Sequence, residues 1–230
     1  MVKSIAIIPA RGASKRIPRK NLADVGGRPL IAWTIEAARS SGYFDRVIVS
    51  TDDQEIAQVA RSQGAEVPFL RSLYADDHAP ASAATLHTLT QCEAYFSESY
   101  DTVCQLMATT PLRDGDVIAK AVDHFASSDA PAQLSCVAFG WQNPWWAMTL
   151  DDKGVPTQLF PEALKARSQD LQQLYVPSGA IWLARAERLK FEGTFYTGGH
   201  TFYPISWLAG IDIDTFADLE MVRGLVSAQG

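Results

Sequence analysis

Short apolar runs alternate with amphipathic stretches along the first half of the chain. The apolar runs predict buried strands at residues 3–8, 46–51 and 102–107, and a short edge strand at 66–70. Apolar residues at helical spacing predict helices over residues 29–38, 55–63, 82–96 and 116–125. This alternation indicates an α/β fold, with a mostly parallel sheet and helices on both of its faces.

The rhythm changes between Gln133 and Trp182. This stretch is β-rich and holds four of the six tryptophans and four prolines. We interpret residues 1–230 as a single domain with an inserted β-rich dimerisation arm at about 138–182. Exposed aromatic side chains on such an arm need a cover, and a two-fold partner is the usual one, so we expect a homodimer. Beyond the arm, the pattern predicts a strand at 207–214 and a closing helix at 215–226.

Composition narrows the classes of protein to consider. The 230 residues carry a net charge of −6, with a sequence pI near 5.2, which argues against a nucleic-acid partner. No run approaches the roughly 18 apolar residues of a membrane span, and the N-terminus lacks a signal-peptide pattern. Cys92, Cys104 and Cys136 lack metal-ligand spacing and lie in apolar contexts, which predicts buried thiols. We expect a reduced cytoplasmic enzyme with no membrane partner.

A basic segment follows the first predicted strand. Residues 11–20 hold five of the 20 Lys and Arg residues and no acid. Ligands of open α/β sheets collect beyond the carboxyl ends of the strands, so this segment predicts a triphosphate site. Gly12, Ala13 and Ser14 are small enough for the backbone N–H groups to approach phosphate oxygens. The segment is neither a Walker A loop nor a Gly-x-Gly-x-x-Gly loop, and a solvated basic loop is the alternative.

Two acidic pairs are candidates for a metal site. Asp212 and Asp214 are two residues apart in the predicted strand, so both side chains face one way, as magnesium ligands beside a phosphate site would. The alternative is that Asp214 caps the last helix while Asp212 is solvated. For Asp52 and Asp53 we favour helix capping over a second metal site. No histidine has a partner at triad spacing, and we expect structural roles for His78, His87, His124 and His200.

Five motifs together resemble the acylneuraminate cytidylyltransferases, the CMP-sialic acid synthetases and their relatives acting on pseudaminic and legionaminic acids. They are Ile-Pro-Ala-Arg-Gly-x-Ser-Lys-Arg-Ile-Pro-x-Lys-Asn at 8–21, Val-Ser-Thr-Asp-Asp at 49–53, Thr-Thr-Pro-Leu-Arg at 109–113, Arg-Ser-Gln-Asp-Leu at 167–171 and Asp-Ile-Asp at 212–214. The resemblance covers nearly the whole chain, in order. It implies a Rossmann-like nucleotidyltransferase fold, a homodimer, magnesium dependence, and transfer of CMP from CTP to a nine-carbon keto-sugar acid with pyrophosphate leaving.

The resemblance also implies roles for individual residues. Catalytic roles fall on Arg11, Lys15, Lys20 and Asp212. Nucleotide contacts fall on Ala10, Arg11, Ser14, Lys15, Asn21, Arg71 and Ser82. Sugar contacts fall on Met107, Thr109, Arg167 and Gln169, the last two in the arm and facing either their own or a partner's site. The magnesium ligands are Asp212 and Asp214.

The chain departs from the sialic acid enzymes at the sugar site. Met107-Ala108 stands where those enzymes have Gln-Pro, and Pro177-Ser178 precedes Gly179 where they have Asn. An apolar side chain here suits a deoxygenated sugar, so sialic acid and its deoxygenated relatives both remain open as substrates. Further alternatives are a CMP-Kdo synthetase, which would carry Lys-Pro where this chain has Lys20-Asn21, another sugar nucleotidyltransferase, and a non-catalytic nucleotide-binding protein.

Overall fold

A computed structural model describes residues 2–74, 80–140 and 142–228. Its strands are β1 Ser4–Pro9, β2 Asp24–Val25, β3 Arg28–Pro29, β4 Arg46–Ser50, β5 Thr102–Gln105, β6 Ala132–Ala138, β7 Met148–Leu150, β8 Pro156–Gln158, β9 Tyr175–Arg185 and β10 Thr201–Pro204. Its α-helices are α1 Leu30–Ser40, α2 Gln54–Ser62, α3 Ala81–Phe96, α4 Gly115–Ala126, α5 Ala186–Glu192 and α6 Phe216–Ser227. No helix in these ranges is long and apolar enough to cross a membrane.

The central sheet has six strands in the order β10-β6-β9-β5-β1-β4. All neighbours pair in parallel except β9, which runs antiparallel to both β5 and β6. Side chains of β1 alternate between the two faces: Ala6 and Ile8 pack with residues of α1, α2 and α4, and Ile5 and Ile7 with residues of α3 and α5. The predicted mostly parallel sheet with helices on both faces is confirmed.

Two predicted strands are wrong. Residues 66–70 form a single bridge, between Ile48 and Glu66, and no strand. Residues 207–214 form a 3₁₀ helix, Leu208–Gly210, followed by irregular chain. The alternation at Ile211 and Ile213 records burial in a small cluster beneath α6, because both side chains pack with Leu219 and Val222.

Both ends of the predicted arm, residue 138 and residues 175–182, belong to strands of the central sheet. Strands β6 and β9 are core strands, and their central residues are buried on both faces like those of β1. Between them, residues 139–174 carry the short antiparallel pair of β7 and β8, whose residues are all exposed. The name arm is kept below for residues 139–174.

The three thiols and the helix cap agree with the sequence-based expectations. Cys92, Cys104 and Cys136 are free and buried, and burial raises the pKa of Cys92 to about 12. Asp53 caps α2 by accepting hydrogen bonds from the N–H groups of Glu55 and Ile56. Among the histidines, the prediction for His78 lies outside the described residues.

Candidate active site

Three segments that are distant in sequence meet at the carboxyl ends of β1 and β5. They are the loop after β1, the loop after β5 and the chain leading into α6, and together they enclose a cleft of about 430 Å³. Its lining residues are Pro9, Arg11, Ala13, Ser14, Lys15, Arg16, Lys20, Asn21, Met107, Ala108, Thr109, Asp212 and Asp214. Four cations and two carboxylates therefore share one concave surface.

Two acidic residues that follow the neighbouring strand β4 anchor the basic loop. Asp52 accepts a hydrogen bond from the Gly12 N–H at 2.8 Å, so this N–H is engaged by protein and does not face a phosphate as predicted. A Cβ atom on Gly12 would lie 2.7 Å from Asp53 Oδ2, which explains the glycine. Arg19 does not line the cleft. Its guanidinium binds Glu55 at 2.7 Å and Asp53 at 3.3 Å instead.

Lys20 links the basic loop to the acidic segment. Its Nζ donates to the carbonyl oxygen of Ile213 at 2.7 Å and lies 3.4 Å from Asp214 Oδ1. Only 13% of its side chain is exposed, so the ammonium group is fixed in place. Arg16 approaches the same Asp214 oxygen at 3.1 Å. Asn21 supports the loop from beneath, since its amide donates to the Arg11 carbonyl oxygen at 2.9 Å.

Asp212 lies in a mixed environment. Asp212 is exposed at the surface, but the surrounding protein removes enough solvent to raise the pKa of its carboxyl group. The charge of Asp214 raises that pKa further, whereas a hydrogen bond with Thr109 and the charge of Lys20 lower it. Within the described ranges there is no cluster of three or more His, Cys, Asp or Glu side chains that could hold a metal ion.

Residues 5–210 match the sequence model of the family described as Cytidylyltransferase. The chain belongs to the cytidylyltransferase family. It is accordingly a CTP-dependent nucleotidyltransferase, and the resemblance drawn from its motifs is confirmed.

Similar curated proteins differ in the sugar that their names specify. The chain is 34% identical over 222 residues to a pseudaminic acid cytidylyltransferase of Campylobacter jejuni, covering 96% of this chain and 95% of that one. It is 32% identical to a CMP-N,N'-diacetyllegionaminic acid synthase of Legionella pneumophila, covering 98% and 97%. It is 32% identical to an N-acylneuraminate cytidylyltransferase of Streptococcus agalactiae, covering 97% of this chain and 53% of that one.

The fold is also found in solved cytidylyltransferase structures. A CMP:2-keto-3-deoxy-manno-octonic acid synthetase complexed with CTP superposes with a TM-score of 0.73 over 99% of this chain and 100% of that one. The sequence identity of that pair is 19%, so the likeness supports the fold alone.

Most of the site residues implied by the cytidylyltransferase motifs lie in the cleft. These are Arg11, Ser14, Lys15, Lys20, Asn21, Met107, Thr109, Asp212 and Asp214. Ala10 does not line it: this residue is buried under the loop, where its N–H donates to the Ser50 carbonyl oxygen at 2.9 Å. Ala10 therefore belongs to the framework that carries the loop.

The remaining predicted residues lie outside the cleft lining. Arg71 is buried close enough to Arg11 and Asp52 to feel both charges: burial lowers the pKa of its guanidinium, Asp52 raises it and Arg11 lowers it. Ser82 lies half-buried in the first turn of α3. Arg167 and Gln169 are exposed on the arm, where Arg167 pairs with Asp170 at 2.7 Å. Arg71 thus lies next to a residue of the cleft, whereas Ser82, Arg167 and Gln169 are not among the residues that line the cleft of their own chain.

Two residues at the cleft were not assigned to it from sequence. Arg16 lines the cleft and binds Asp214, although the motif gave it no role beyond its charge. Asp52 holds the basic loop through Gly12, whereas the sequence favoured a capping role that belongs to Asp53 alone. The available signal for Asp52 was its position, because it follows a strand adjacent to β1.

Proposed function

We propose that this cytidylyltransferase transfers CMP from CTP to the anomeric hydroxyl group of a nonulosonic acid and releases pyrophosphate. The observation that carries the proposal is the single cleft in which the basic loop, the loop after β5 and the two carboxylates meet. Relatives that cover the chain almost end to end are named for pseudaminic and legionaminic acids.

The proposed reaction is an in-line displacement at the α-phosphorus of CTP. The anomeric oxygen forms a bond to phosphorus as the bond to the pyrophosphate oxygen breaks, and the hydroxyl proton is lost to solvent. Arg11, Lys15 and Lys20 neutralise the triphosphate and the charge that develops on the leaving pyrophosphate. Lys20 suits this role because the hydrogen bond from its ammonium group to the Ile213 carbonyl oxygen holds that group in position before substrate binds.

We propose Asp212 and Asp214 as the ligands of Mg²⁺. The donor set fits, because Mg²⁺ commonly takes one or two carboxylates and completes its shell with water and substrate phosphates. The fit also has an electrostatic basis: the two like charges are close enough for Asp214 to raise the pKa of Asp212, and a cation relieves that repulsion. When bound, Mg²⁺ supplies Lewis-acid stabilisation of phosphate oxygens.

The sugar end of the cleft favours a deoxygenated nonulosonic acid. Met107 and Ala108 form an apolar wall there. Met107 packs against the backbone of β9, where a Cβ atom on Gly179 would lie 3.1 Å from Met107 Cγ. A thioether wall offers no strong hydrogen-bond partner to a hydroxyl-rich sugar, so we propose pseudaminic or legionaminic acid as substrate ahead of sialic acid.

We also propose a homodimer, formed in a reducing cytoplasm. The arm exposes a set of large apolar side chains: Trp146, Met148, Leu150, Val155, Leu159, Phe160 and Leu164. Large apolar side chains exposed along one short segment need a cover, and a second copy of the chain supplies one. Arg167 and Gln169 lie on this arm, so their proposed sugar contacts would be made in the partner's cleft. Three buried free thiols suit a reducing compartment.

The test is pyrophosphate release from CTP and Mg²⁺ with a panel of sugars. The panel contains pseudaminic, legionaminic and sialic acids together with Kdo. We expect turnover with a deoxygenated nonulosonic acid in preference to sialic acid. Turnover with Kdo alone would replace the proposed substrate with an eight-carbon acid, and CTP binding without turnover on any sugar would contradict the proposal.

A further inference from the structure

We propose that Arg113 is a positioning residue that sets the loop after β5 against the carboxylate segment and so controls the sugar end of the cleft. Its side chain does not line that cleft and is 1% exposed. The kinetic consequence of this role rests on the proposed function, but the structural role does not.

The guanidinium of Arg113 joins three elements. It donates to Thr110 Oγ1 at 2.8 Å within the loop, to the Ala180 carbonyl oxygen of β9 at 2.5 Å, and to Thr34 Oγ1 of α1 at 2.9 Å. A longer contact of 3.5 Å reaches the carbonyl oxygen of Met107. The planar fork of an arginine can serve such divergent acceptors at once, which a lysine cannot.

All of these acceptors are neutral oxygens, and none of the hydrogen bonds or ion pairs of Arg113 within the described ranges involves a carboxylate. Burial lowers its pKa to about 10, so the group still carries its charge at neutral pH. Desolvating a cation without an anionic partner is costly. A residue whose only task was to fill space would not require that charge, whereas strong charge-assisted bonds to three elements do require it.

The loop after β5 separates two cavities. Its first residues, Met107 to Thr109, form a wall of the active-site cleft. Its last residues, Pro111 to Arg113, line a second cavity of about 520 Å³ behind that wall. Residues 108–111 are buried between these cavities, so packing and the hydrogen bonds of Arg113 together hold the loop in this position.

The same loop is tied to the carboxylates. The N–H of Ile213 donates to the Thr109 carbonyl oxygen at 2.9 Å, between Asp212 and Asp214 in sequence. Thr109 also hydrogen-bonds to the side chain of Asp212. A shift of the loop would consequently move the sugar-contacting wall and the carboxylates together.

The test uses Thr34→Val, which keeps the shape of the residue. It removes one acceptor of Arg113 and also the hydroxyl that donates to the Met107 carbonyl oxygen at 3.3 Å, so the contribution of Arg113 itself is read from Arg113→Lys. Thr34 is fully buried in α1 and does not line the cleft. Thr88→Val is the matched control, because Thr88 is also a fully buried helical threonine whose hydroxyl makes two hydrogen bonds, to Ser50 and to the Ala84 carbonyl oxygen. Arg113→Lys is a second variant that keeps the charge and loses the fork.

Two readouts are recorded for each variant. The first is the ¹³C-methyl NMR signal of Met107, one of four methionines, assigned with Met107→Leu. The second is steady-state kinetics. We expect Thr34→Val and Arg113→Lys to shift or broaden the Met107 signal and to lower kcat/KM for the sugar about tenfold or more, with KM for CTP within about twofold. Thr88→Val should change neither readout.

The outcomes separate this inference from the proposed function. An unchanged Met107 signal in Thr34→Val and Arg113→Lys would overturn the positioning role, whatever the activity. If the signal moves but sugar kinetics match those of Thr88→Val, the role is structural only and the inference also fails. If the wild-type enzyme turns over no sugar, the proposed function fails and the Met107 signal alone decides the inference.

Discussion

At the scale of single residues, Lys20 connects the basic loop to the acidic segment. Because its ammonium is held by the Ile213 carbonyl, its charge is available to the triphosphate without reorganisation. We expect Lys20→Met to lower kcat/KM for CTP by about 10² to 10³. Pyrophosphate release measures this loss, with the exposed Lys120→Met as control. A change of less than about threefold would remove Lys20 from the machinery.

Met107 is the residue at which substrate preference should be adjustable. Replacing the thioether with an amide of similar length provides hydrogen-bond partners for sugar hydroxyl groups. We expect Met107→Gln to shift the ratio of kcat/KM for sialic acid over pseudaminic acid by about tenfold towards sialic acid. The ratio is measured by competition between the two sugars, and an unchanged ratio would mean that Met107 does not contact the substrate.

Some features of the site residues were predictable from the sequence and others were not. The density of cations predicted the basic loop, because charge is a local property of sequence. The orientation of Arg19 towards Glu55 and the burial of Arg113 were not predictable in this way. Both depend on partners more than 30 residues away or on solvent exclusion, and neither is encoded in spacing along the chain.

At the scale of elements, the cap of α2 supports the active-site loop as well as its own helix. Asp53 receives two backbone N–H groups and the Arg19 guanidinium. We expect Asp53→Ala to cost about 1 kcal/mol of unfolding free energy at pH 7. Urea titration measures the difference, with the exposed Asp129→Ala as control.

The Asp53 contribution should depend on pH in one direction. Hydrogen bonds from the Ile56 and Glu55 N–H groups and the charge of Arg19 lower the pKa of Asp53 below its usual value. The stabilisation is therefore complete above the unfolded pKa of about 3.9 and is lost as pH falls through the lowered folded pKa. A cost of Asp53→Ala that grew as the solution was acidified would contradict this sign.

Element prediction worked where periodicity reflected a sheet or an amphipathic helix. It failed at 207–214, because the alternation of Ile211 and Ile213 arises from burial beneath α6. A hydrophobic pattern indicates which side chains are buried, but it does not indicate which element buries them. The backbone partner of Ile213 is a loop carbonyl of Thr109, a contact that spans more than 100 residues.

At the scale of the whole molecule, the fold class followed from the sequence and the strand order did not. Strand β9 runs antiparallel between β5 and β6, and its long excursion through the arm separates it from β6 by 36 residues, 139–174. Apolar strands buried on both faces carry the same pattern in either direction, so periodicity does not specify the orientation.

The arm should control the oligomeric state. Leu150 on β7 and Leu159 after β8 are 65% and 54% exposed. We expect the wild-type protein to sediment as a dimer and Leu150→Asp/Leu159→Asp as a folded monomer, because charges would be buried at the interface. Phe191→Asp, at an 82% exposed position on α5, is the control and should remain dimeric. A dimeric double variant would exclude the arm as the interface.

³¹P NMR of the complete reaction shows whether nucleotidyl transfer takes place in the cleft shared by the basic loop and the carboxylates. With CTP, Mg²⁺ and pseudaminic or legionaminic acid, we expect equal amounts of CMP-sugar phosphodiester and pyrophosphate. Asp212→Asn should reduce both products by at least about 10². Asp116→Asn, an exposed acid outside the cleft, should leave both unchanged. Pyrophosphate without a phosphodiester, or full activity in Asp212→Asn, would contradict the account.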